Sequence, residues 1–270
     1  MPRPARAARR TRADPTRGTI LDSESECKYQ CVDERALLAV ANNAAWCDAV
    51  CRAHGIEGTF SRDYWIQDGD VVPLYPNLIT LMPGSVDNET AAIETVLKAA
   101  RPSRWFVKDS FNRLPLRELG FSVLLDAEWF VLPAPKPAAC SRVLVDRAET
   151  DDQLRQWEAA WGQTPPEWPH GDRVFAPPLL SDRRVAFLFR KDHDMIVAGL
   201  IANEAHGVVG ISNWFSRSNN QQDPRALLAA ASSLWPSTPL AGYTGRSEMR
   251  SLRQLGAQSC GSCRVWVFSG

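Results

Sequence analysis

The sequence has no excess of charge of either sign and no long apolar run. Its 31 basic side chains are matched by 31 acidic ones, so the chain as a whole is not an electrostatic binder of nucleic acid. No apolar run approaches the ~20 residues that a membrane-spanning helix needs. With 44% apolar and 23% charged residues, the composition is that of a soluble globular protein, and we expect a cytoplasmic location.

The sequence also lacks an even set of cysteines, because it has seven, and no apolar core follows the N-terminal arginines as a secretory signal would require. We therefore expect reduced thiols. Cys27 and Cys31 are four residues apart, as are Cys47 and Cys51, and four thiolates could hold a structural zinc. The second pair falls inside an apolar helical pattern, where buried cysteine is common. Zinc at these four residues stays open, and no metal is expected in the functional site.

The first twenty residues carry six arginines against one acidic residue, Asp14. A stretch with so few apolar residues does not bury enough surface to order itself, so residues 1–26 are predicted to be a disordered tail. Two interpretations remain: a solvated tail, or an arm that binds phosphate or RNA.

The chain is similar to itself. LRELGFSVLLDAEWFVL (116–132) and LRQLGAQSCGSCRVWVF (252–268) both read as a helix end, a glycine and a strand that reaches a tryptophan. RWFVKDS (104–110) and PLAGYTG (239–245) are a second similar pair, and nearly the same number of residues separates them as separates the first pair. Such self-similarity predicts a duplicated unit.

Apolar periodicity and turn residues predict the order of elements. The first half has a helix at 34–54, a loop to Pro73, strand 74–82, helix 89–100, strand 104–109, helix 111–119 and strand 121–132, followed by a Pro-rich linker at 133–139. The second half has strand 142–148, helix 151–161, a long loop at 162–180, strands 185–191, 195–203 and 208–215, helix 224–235, strand 239–244, helix 246–255 and a last strand.

The order in the second half resembles that of the GNAT (N-acetyltransferase) superfamily, and LRELGF is similar to the closing segment of that family. NNAAWCDAVCRAHG and SNWF resemble GNAT-like proteins of an actinobacterial type. The resemblance implies an α+β fold of tandem GNAT-like units with mixed, mostly antiparallel sheets and flanking helices. The first copy (27–137) would be truncated, lacking its front strands, and the second copy (138–270) would hold the active cleft.

GNAT enzymes hold acyl-CoA between two splayed strands, with the pyrophosphate on a Gly-rich loop at a helix N-terminus. The corresponding stretch here, 216–224, has no glycine, and Asp223 would compete with an anion for the helix end. This predicts a degenerate pyrophosphate loop. No cofactor is certain, and acyl-CoA is one alternative. The expected donor is aminoacyl-tRNA or another carrier-bound acyl group.

The resemblance thus implies an acyl or aminoacyl transferase that forms an amide on an amine of a small molecule. The alternatives are an acetyl-CoA-dependent N-acetyltransferase and a non-catalytic GNAT-like binding protein. The expected partners are a small-molecule amine and either tRNA or a carrier protein, with no membrane. A monomer is expected, because duplication supplies the pairing that single copies obtain by dimerising.

Many GNAT enzymes place a tyrosine acid four residues before the helix-ending glycine, but Leu116 and Leu252 occupy those positions here. The nearest phenol, Tyr243, is the candidate acid, and Glu204 or His206 is the candidate base. Contacts to donor or acceptor are expected from Ser212, Asn213 and Trp214 on a strand and from Trp168 and His170 on the long loop. Phosphate or RNA contacts are expected from Arg217, Arg225, Arg246, Arg250 and Arg253.

Overall fold

A computed structural model describes residues 32–67, 72–84, 86–100, 102–134, 143–162, 173–217 and 222–270. These residues belong to one unit, Val32–Gly270. The predicted tail at 1–26 lies outside the described residues, as do Cys27, Cys31, Trp168 and His170 and most of the predicted linker. The predictions made for them therefore remain predictions.

The first helix, α1, spans Glu34–Ala53, which confirms the helix predicted at 34–54. Asp33 stops it at the N-terminal end: its carboxylate accepts the backbone N–H of Arg35 at 2.9 Å, so one orphan donor of the first turn is satisfied. Buried side chains such as Val40, Cys47 and Val50 recur at helical spacing and form the face that packs on the sheet.

The other elements follow in chain order. The helices are α2 (Val86–Ala100), α3 (Asp151–Gly162), α4 (Gln222–Leu234) and α5 (Arg246–Gln254), with 3₁₀ helices at Leu116–Leu119 and Pro177–Ser181. The strands are β1 (Thr59–Phe60), β2 (Tyr64–Ile66), β3 (Leu78–Thr80), β4 (Arg104–Asp109), β5 (Phe121–Leu132), β6 (Asp146–Arg147), β7 (Val185–Asp192), β8 (Met195–Ala205), β9 (Val208–Ser216), β10 (Leu240–Thr244) and β11 (Gln258–Ser269).

The strands of the described residues form one eleven-stranded sheet in the order β1-β2-β3-β4-β11-β5-β10-β9-β8-β7-β6. Neighbouring strands are antiparallel except β3 with β4 and β9 with β10, which are parallel. The prediction of a mixed, mostly antiparallel sheet with flanking helices is confirmed.

The last strands of the two halves meet at the centre of this sheet. β11 lies between β4 and β5 and pairs with both in antiparallel register. β5 in turn lies between β11 and β10. Each half therefore contains the closing strand of the other, and the sheet runs without a break through both halves.

Helices cover both faces of the sheet. On the first face lie α1 and α3, where Trp46, Trp157 and Phe187 share a buried cluster. On the second face, Leu227 of α4 and Met249 of α5 belong to one buried cluster with Leu200 of β8. α2 packs in one cluster with Val107 of β4. The next residue of β4, Lys108, points to α1 on the first face. Since successive side chains of a strand alternate between faces, Val107 and α2 lie on the second face.

Four local predictions were wrong. The loop predicted from 55 to Pro73 contains β1 and β2, so the first half does have short strands in front of β3. The helix predicted at 111–119 is only the 3₁₀ helix Leu116–Leu119, because the Asp109 carboxylate accepts the backbone N–H of Leu114 at 2.8 Å and holds the chain in a turn. The strands predicted at 74–82 and 142–148 are shorter, since Leu74 has φ 64° and β6 pairs with β7 through two residues.

Candidate active site

The parallel strands β9 and β10 separate part of the way along their length. They pair at Leu240–Val209 and Ala241–Gly210. Beyond these pairs, Ile211–Ser216 of β9 and Tyr243–Gly245 line opposite sides of a cavity of about 780 Å³. This volume lies within the range of roughly 300–1,000 Å³ that is typical of small-molecule sites. The cavity is therefore an opening between two strands of the central sheet.

Gly242 permits the close approach at the point of separation. A Cβ atom at this position would lie 2.7 Å from the carbonyl oxygen of Ile211 and 2.9 Å from Phe130 Cζ. A side chain here would push β9 away from β10 where the cavity begins.

β9 carries a bulge where it borders the cavity. Its register with β8 shifts between the Gly199–Phe215 and Ile201–Ser212 pairs, and Asn213 has φ 50°. Such a bulge re-aims side chains and interrupts the ladder. The hydroxyl oxygen of Ser212 is buried and has no hydrogen-bond partner among the described residues. A buried polar atom of this kind is available to a ligand.

The first-face part of the cavity is built around Lys108 of β4. Its Nζ donates a hydrogen bond to Asn43 Oδ1 at 2.7 Å and lies 4.2 Å from the centre of the Tyr243 ring. Tyr243 is itself held edge-on against Trp129, with the ring centres 5.3 Å apart. Burial works to lower the pKa of Lys108, but the ionised forms of Tyr243 and Cys47 favour the ammonium and leave the pKa raised.

The position of Asn43 follows from its neighbour Asn42. The Asn42 amide group donates to the carbonyl oxygens of Asn203, Ala205 and Val208 at 3.0–3.1 Å and accepts from Asn203 Nδ2 at 3.1 Å. Gly210 makes room for it, because a Cβ there would collide with Asn42 Oδ1. α1 is therefore fixed on the β8–β9 hairpin, with Asn43 directed at Lys108.

The second-face part of the cavity is lined by the start of α4 and by one side of α5. Arg225 and Glu248 are exposed at its edge, and Leu252 is buried. Asp223, in the first turn of α4, is fully buried and forms an ion pair of 2.7 Å with Arg190 of β7. A protein carboxylate thus already occupies the N-terminal turn of α4, where the helix dipole favours negative charge.

The four described cysteines are free and buried, which makes them weakly reactive thiols. Burial raises the pKa of Cys51 and Cys263 to about 12 and that of Cys260 to about 11, and it also raises the pKa of Cys47. In the part of the chain that the structure describes, no group of three or more His, Cys, Asp or Glu side chains could hold a metal ion.

The structure brings five of the predicted residues to the cavity wall, namely Tyr243, Ser212, Asn213, Trp214 and Arg225. Glu204 and His206 lie at the β8–β9 turn, at the opposite end of β9. His206 is separated from Ile211 by roughly 17 Å of extended strand. Glu204 pairs with Val209, closer to the cavity, but neither candidate base is among the residues that line it.

The other predicted arginines lie elsewhere. Arg217 donates to the carbonyl oxygen of Ala160 at the end of α3. Arg253 forms an ion pair of 3.0 Å with Glu128 of β5. The cavity-facing side of α5 carries Glu248, Ser251, Leu252 and Leu255, so Arg246, Arg250 and Arg253 belong to its other side.

Sequence reasoning missed Lys108 and Asn43. Lys108 interrupts a strand that is buried at all but its first position, which is the one signal that could have marked it. Asn43 belongs to the Asn42–Asn43 pair in an apolar helix. The sequence pattern does not reveal the order of strands, in which β11 and β5 separate Lys108 on β4 from Tyr243 on β10.

No protein-family model matches the sequence, and no curated protein matches it with significance. Solved structures do match the fold. A GCN5-related N-acetyltransferase from Kribbella flavida is 16% identical with a TM-score of 0.59, covering 86% of this chain and 96% of that one. A functionally unknown conserved protein from Staphylococcus epidermidis is 13% identical with a TM-score of 0.56, covering 78% and 93%.

A GNAT-family protein from Novosphingobium aromaticivorans is 11% identical with a TM-score of 0.53, covering 86% of this chain and 99% of that one. At these identities the likeness is one of fold, and the chain has the GNAT fold over most of its length. Among the described helices, none is long and apolar enough to cross a membrane.

Proposed function

We propose that the protein is an acyltransferase that forms an amide on an amine of a small molecule. One observation carries the proposal: the cavity opens between the parallel strands β9 and β10 and is lined from both faces of the sheet. A donor can enter from the side of α4 and α5, and an acceptor can enter from the side of α1. The two reactants then meet in the gap, where proximity supplies much of the rate.

The mirrored order of strands supports a second part of the proposal. The parallel pairs β3–β4 and β9–β10 flank the two closing strands symmetrically. We infer a tandem of two GNAT-like units that exchanged their last strands, with the chain divided near residues 137 and 138.

In the proposed reaction, the lone pair of a neutral amine attacks the carbonyl carbon of the donor ester or thioester. Beyond the Ala241–Gly210 pair, the edge of β9 borders the cavity, and its backbone N–H groups with the Ser212 hydroxyl polarise the carbonyl oxygen. The C–N bond forms, the bond from carbon to the leaving oxygen or sulfur breaks, and Tyr243 protonates the leaving group. Water in the cavity takes the proton lost by the amine.

The donor is proposed to be aminoacyl-tRNA or another carrier-bound acyl group. The buried Asp223–Arg190 pair supports this choice, because a protein carboxylate already lies in the first turn of α4, where the diphosphate of CoA would bind. Acetyl-CoA remains the second candidate donor, since the structural neighbours include GCN5-related N-acetyltransferases.

The reaction is tested by incubating the protein with a mixture of amines and either acetyl-CoA or charged tRNA, and by detecting N-acyl products by mass spectrometry. With the active donor, Tyr243→Phe should lower kcat about 100-fold and leave KM nearly unchanged. Tyr64→Phe, on β2 away from the cavity, is the matched control. Product from neither donor, with ligand binding intact, would leave the non-catalytic binding protein as the better interpretation.

The tRNA donor has its own test in binding. Anisotropy of labelled tRNA is measured at low and raised salt for the intact chain, for a chain without residues 1–20 and for an α5 variant. The α5 variant replaces Arg246, Arg250 and Arg253 by Gln, and its control replaces Arg155, Arg183 and Arg184. If the truncated chain and the α5 variant lose tRNA binding and the control variant keeps it, phosphate contacts at the N-terminal arginines and at α5 are supported. Tight acetyl-CoA binding without tRNA binding argues for the second donor.

A further inference from the structure

Lys108 is a buried cation on the cavity wall. Its side chain is 2% exposed, although it lines a space large enough for a small molecule. The residues that border the first-face part of the cavity with it include Asn43, Trp46, Cys47 and Tyr243. This part is otherwise aromatic and neutral.

No acidic side chain pairs with Lys108 among the described residues. Its direct contacts are an amide oxygen, Asn43 Oδ1, and the face of the Tyr243 ring. The titratable groups that face it are a phenol, Tyr243, and two thiols, Cys47 and Cys263, whose pKa values are raised by burial. Its neighbour Asp109 points to the other face of the strand and accepts the backbone N–H of Leu114.

An ammonium group in such surroundings lacks a counterion. Burying a charge is strongly unfavourable unless an opposite charge or strong hydrogen bonds compensate. The amide oxygen and the aromatic face stabilise the cation in part. An anionic group of a bound molecule would supply the missing charge and a charge-assisted hydrogen bond.

We propose that the acceptor carries a carboxylate that binds to Lys108, so that the acceptor class is the amino acids and related amino carboxylates. This inference rests on the proposed function for the identity of the site as an acceptor pocket. Tyr243 borders both positions: it lines the gap opposite β9, and its ring lies against Lys108. Because Lys108 and the gap border the same cavity, one small molecule can bind its carboxylate to Lys108 and place its amine at the donor carbonyl.

The test measures binding without any acyl donor. Trp46 and Trp214 line the cavity, so ligand binding should change tryptophan fluorescence. The probes are matched pairs at constant ionic strength and pH 7: benzoate with benzamide, butyrate with butyramide, and L-phenylalanine with L-phenylalaninamide. In at least one pair the carboxylate should bind about tenfold more tightly than the amide, as expected for a charge-assisted contact.

Lys108→Met should abolish this preference and leave the affinity for the amide within about twofold. Lys98→Met, on the exposed side of α2, is the matched control and should keep the preference. If Lys108→Met does not fold, the comparison of the probe pairs on the unchanged protein still decides whether the cavity prefers a carboxylate to an amide. Equal affinity within every pair, or a preference that survives in folded Lys108→Met, would overturn the inference.

The outcome is separable from that of the proposed function. If carboxylates bind more tightly than amides but no N-acyl product forms, the anion site at Lys108 is supported and the proposed acyltransferase activity is contradicted. If amino acids and their amides are acylated equally well, the acyltransferase activity is supported and the proposed role of Lys108 is contradicted.

Discussion

At the scale of single residues, Asn42 joins the first helix to the sheet. Its side-chain nitrogen lies within hydrogen-bond distance of three carbonyl oxygens at the end of the β8–β9 hairpin, and Gly210 supplies the space that the side chain occupies. Residue identity is therefore restricted at both positions, one by hydrogen bonding and the other by close contact.

We expect Asn42→Ala to lower the free energy of unfolding by about 3 kcal/mol, because it leaves buried carbonyl groups without donors. Gly210→Ala should cost about 1–3 kcal/mol, because the added methyl group displaces the Asn42 amide. Urea unfolding of both single variants and of the double variant measures these costs. The double variant should lose less than the sum of the two, whereas strict additivity would contradict the proposed contact.

Glu89 of α2 predicts a dependence of stability on pH. Its side chain is 3% exposed, and burial, with Asp109 and Asp63 nearby, raises its pKa to about 8. The folded state therefore holds a proton that the unfolded chain releases near its ordinary pKa of 4.5. The stability contributed by this group is present below pH 4.5 and is lost as the pH rises through about 8.

Glu89→Gln should flatten the fall in stability across this pH window and should be more stable than the unchanged protein at the alkaline end, by on the order of a few kcal/mol at most. Chemical unfolding at a series of pH values measures the effect. Glu94→Gln, an exposed change on the same helix, should leave the slope unaltered. Parallel curves for Glu89→Gln and the unchanged protein would exclude a buried neutral carboxyl group.

At the scale of elements, sequence periodicity predicted those whose form depends on local pattern. Helices α1, α3, α4 and α5 and the long strands appear close to their predicted bounds, because each has an amphipathic or buried run bounded by a capping residue or a turn. At Thr150, the residue before α3, the hydroxyl oxygen caps the helix by accepting the Gln153 backbone N–H at 3.3 Å.

The elements that were missed depend on contacts distant in sequence. β1 and β2 are two and three residues long and exist because β2 pairs with β3. The segment after β4 is a turn rather than a helix because the Asp109 carboxylate binds its backbone. Part of the cavity could be predicted, since Tyr243 and Ser212 lie on recognisable strands. Lys108 could not, since its neighbours are set by the order of strands.

The buried thiols of α1 and β11 give a prediction at this scale. Cys47, Cys51, Cys260 and Cys263 are buried, and their raised pKa values keep them protonated at pH 8. Iodoacetamide at this pH should leave all four unmodified in the folded protein and modify them in urea, as read by peptide mass spectrometry. Rapid modification of Cys260 or Cys263 in the folded protein would show that β11 opens locally.

At the scale of the whole molecule, the closing strands decide how the two halves depend on each other. β11 forms ten registered pairs with β5 and six with β4, so it completes the first half although it belongs to the second. β5 likewise completes the second half through β10. Neither half can form its complete sheet without a strand from the other. The division into two units that the sequence predicts is therefore compatible with one cooperative unit in folding.

We accordingly expect a single unfolding transition. Far-ultraviolet circular dichroism and tryptophan fluorescence should give the same urea midpoint, because separation of β11 from β5 removes the centre of the sheet for both halves at once. A variant with a cavity at this seam, Trp266→Ala, should lower the common midpoint without splitting the transition, since it removes a large side chain that is 2% exposed. Ser262→Ala, at an exposed position of the same strand, should shift the midpoint little. Two transitions with different midpoints for the two probes would mean that the halves fold independently, and the exchange of closing strands would then contribute little to the stability of either half.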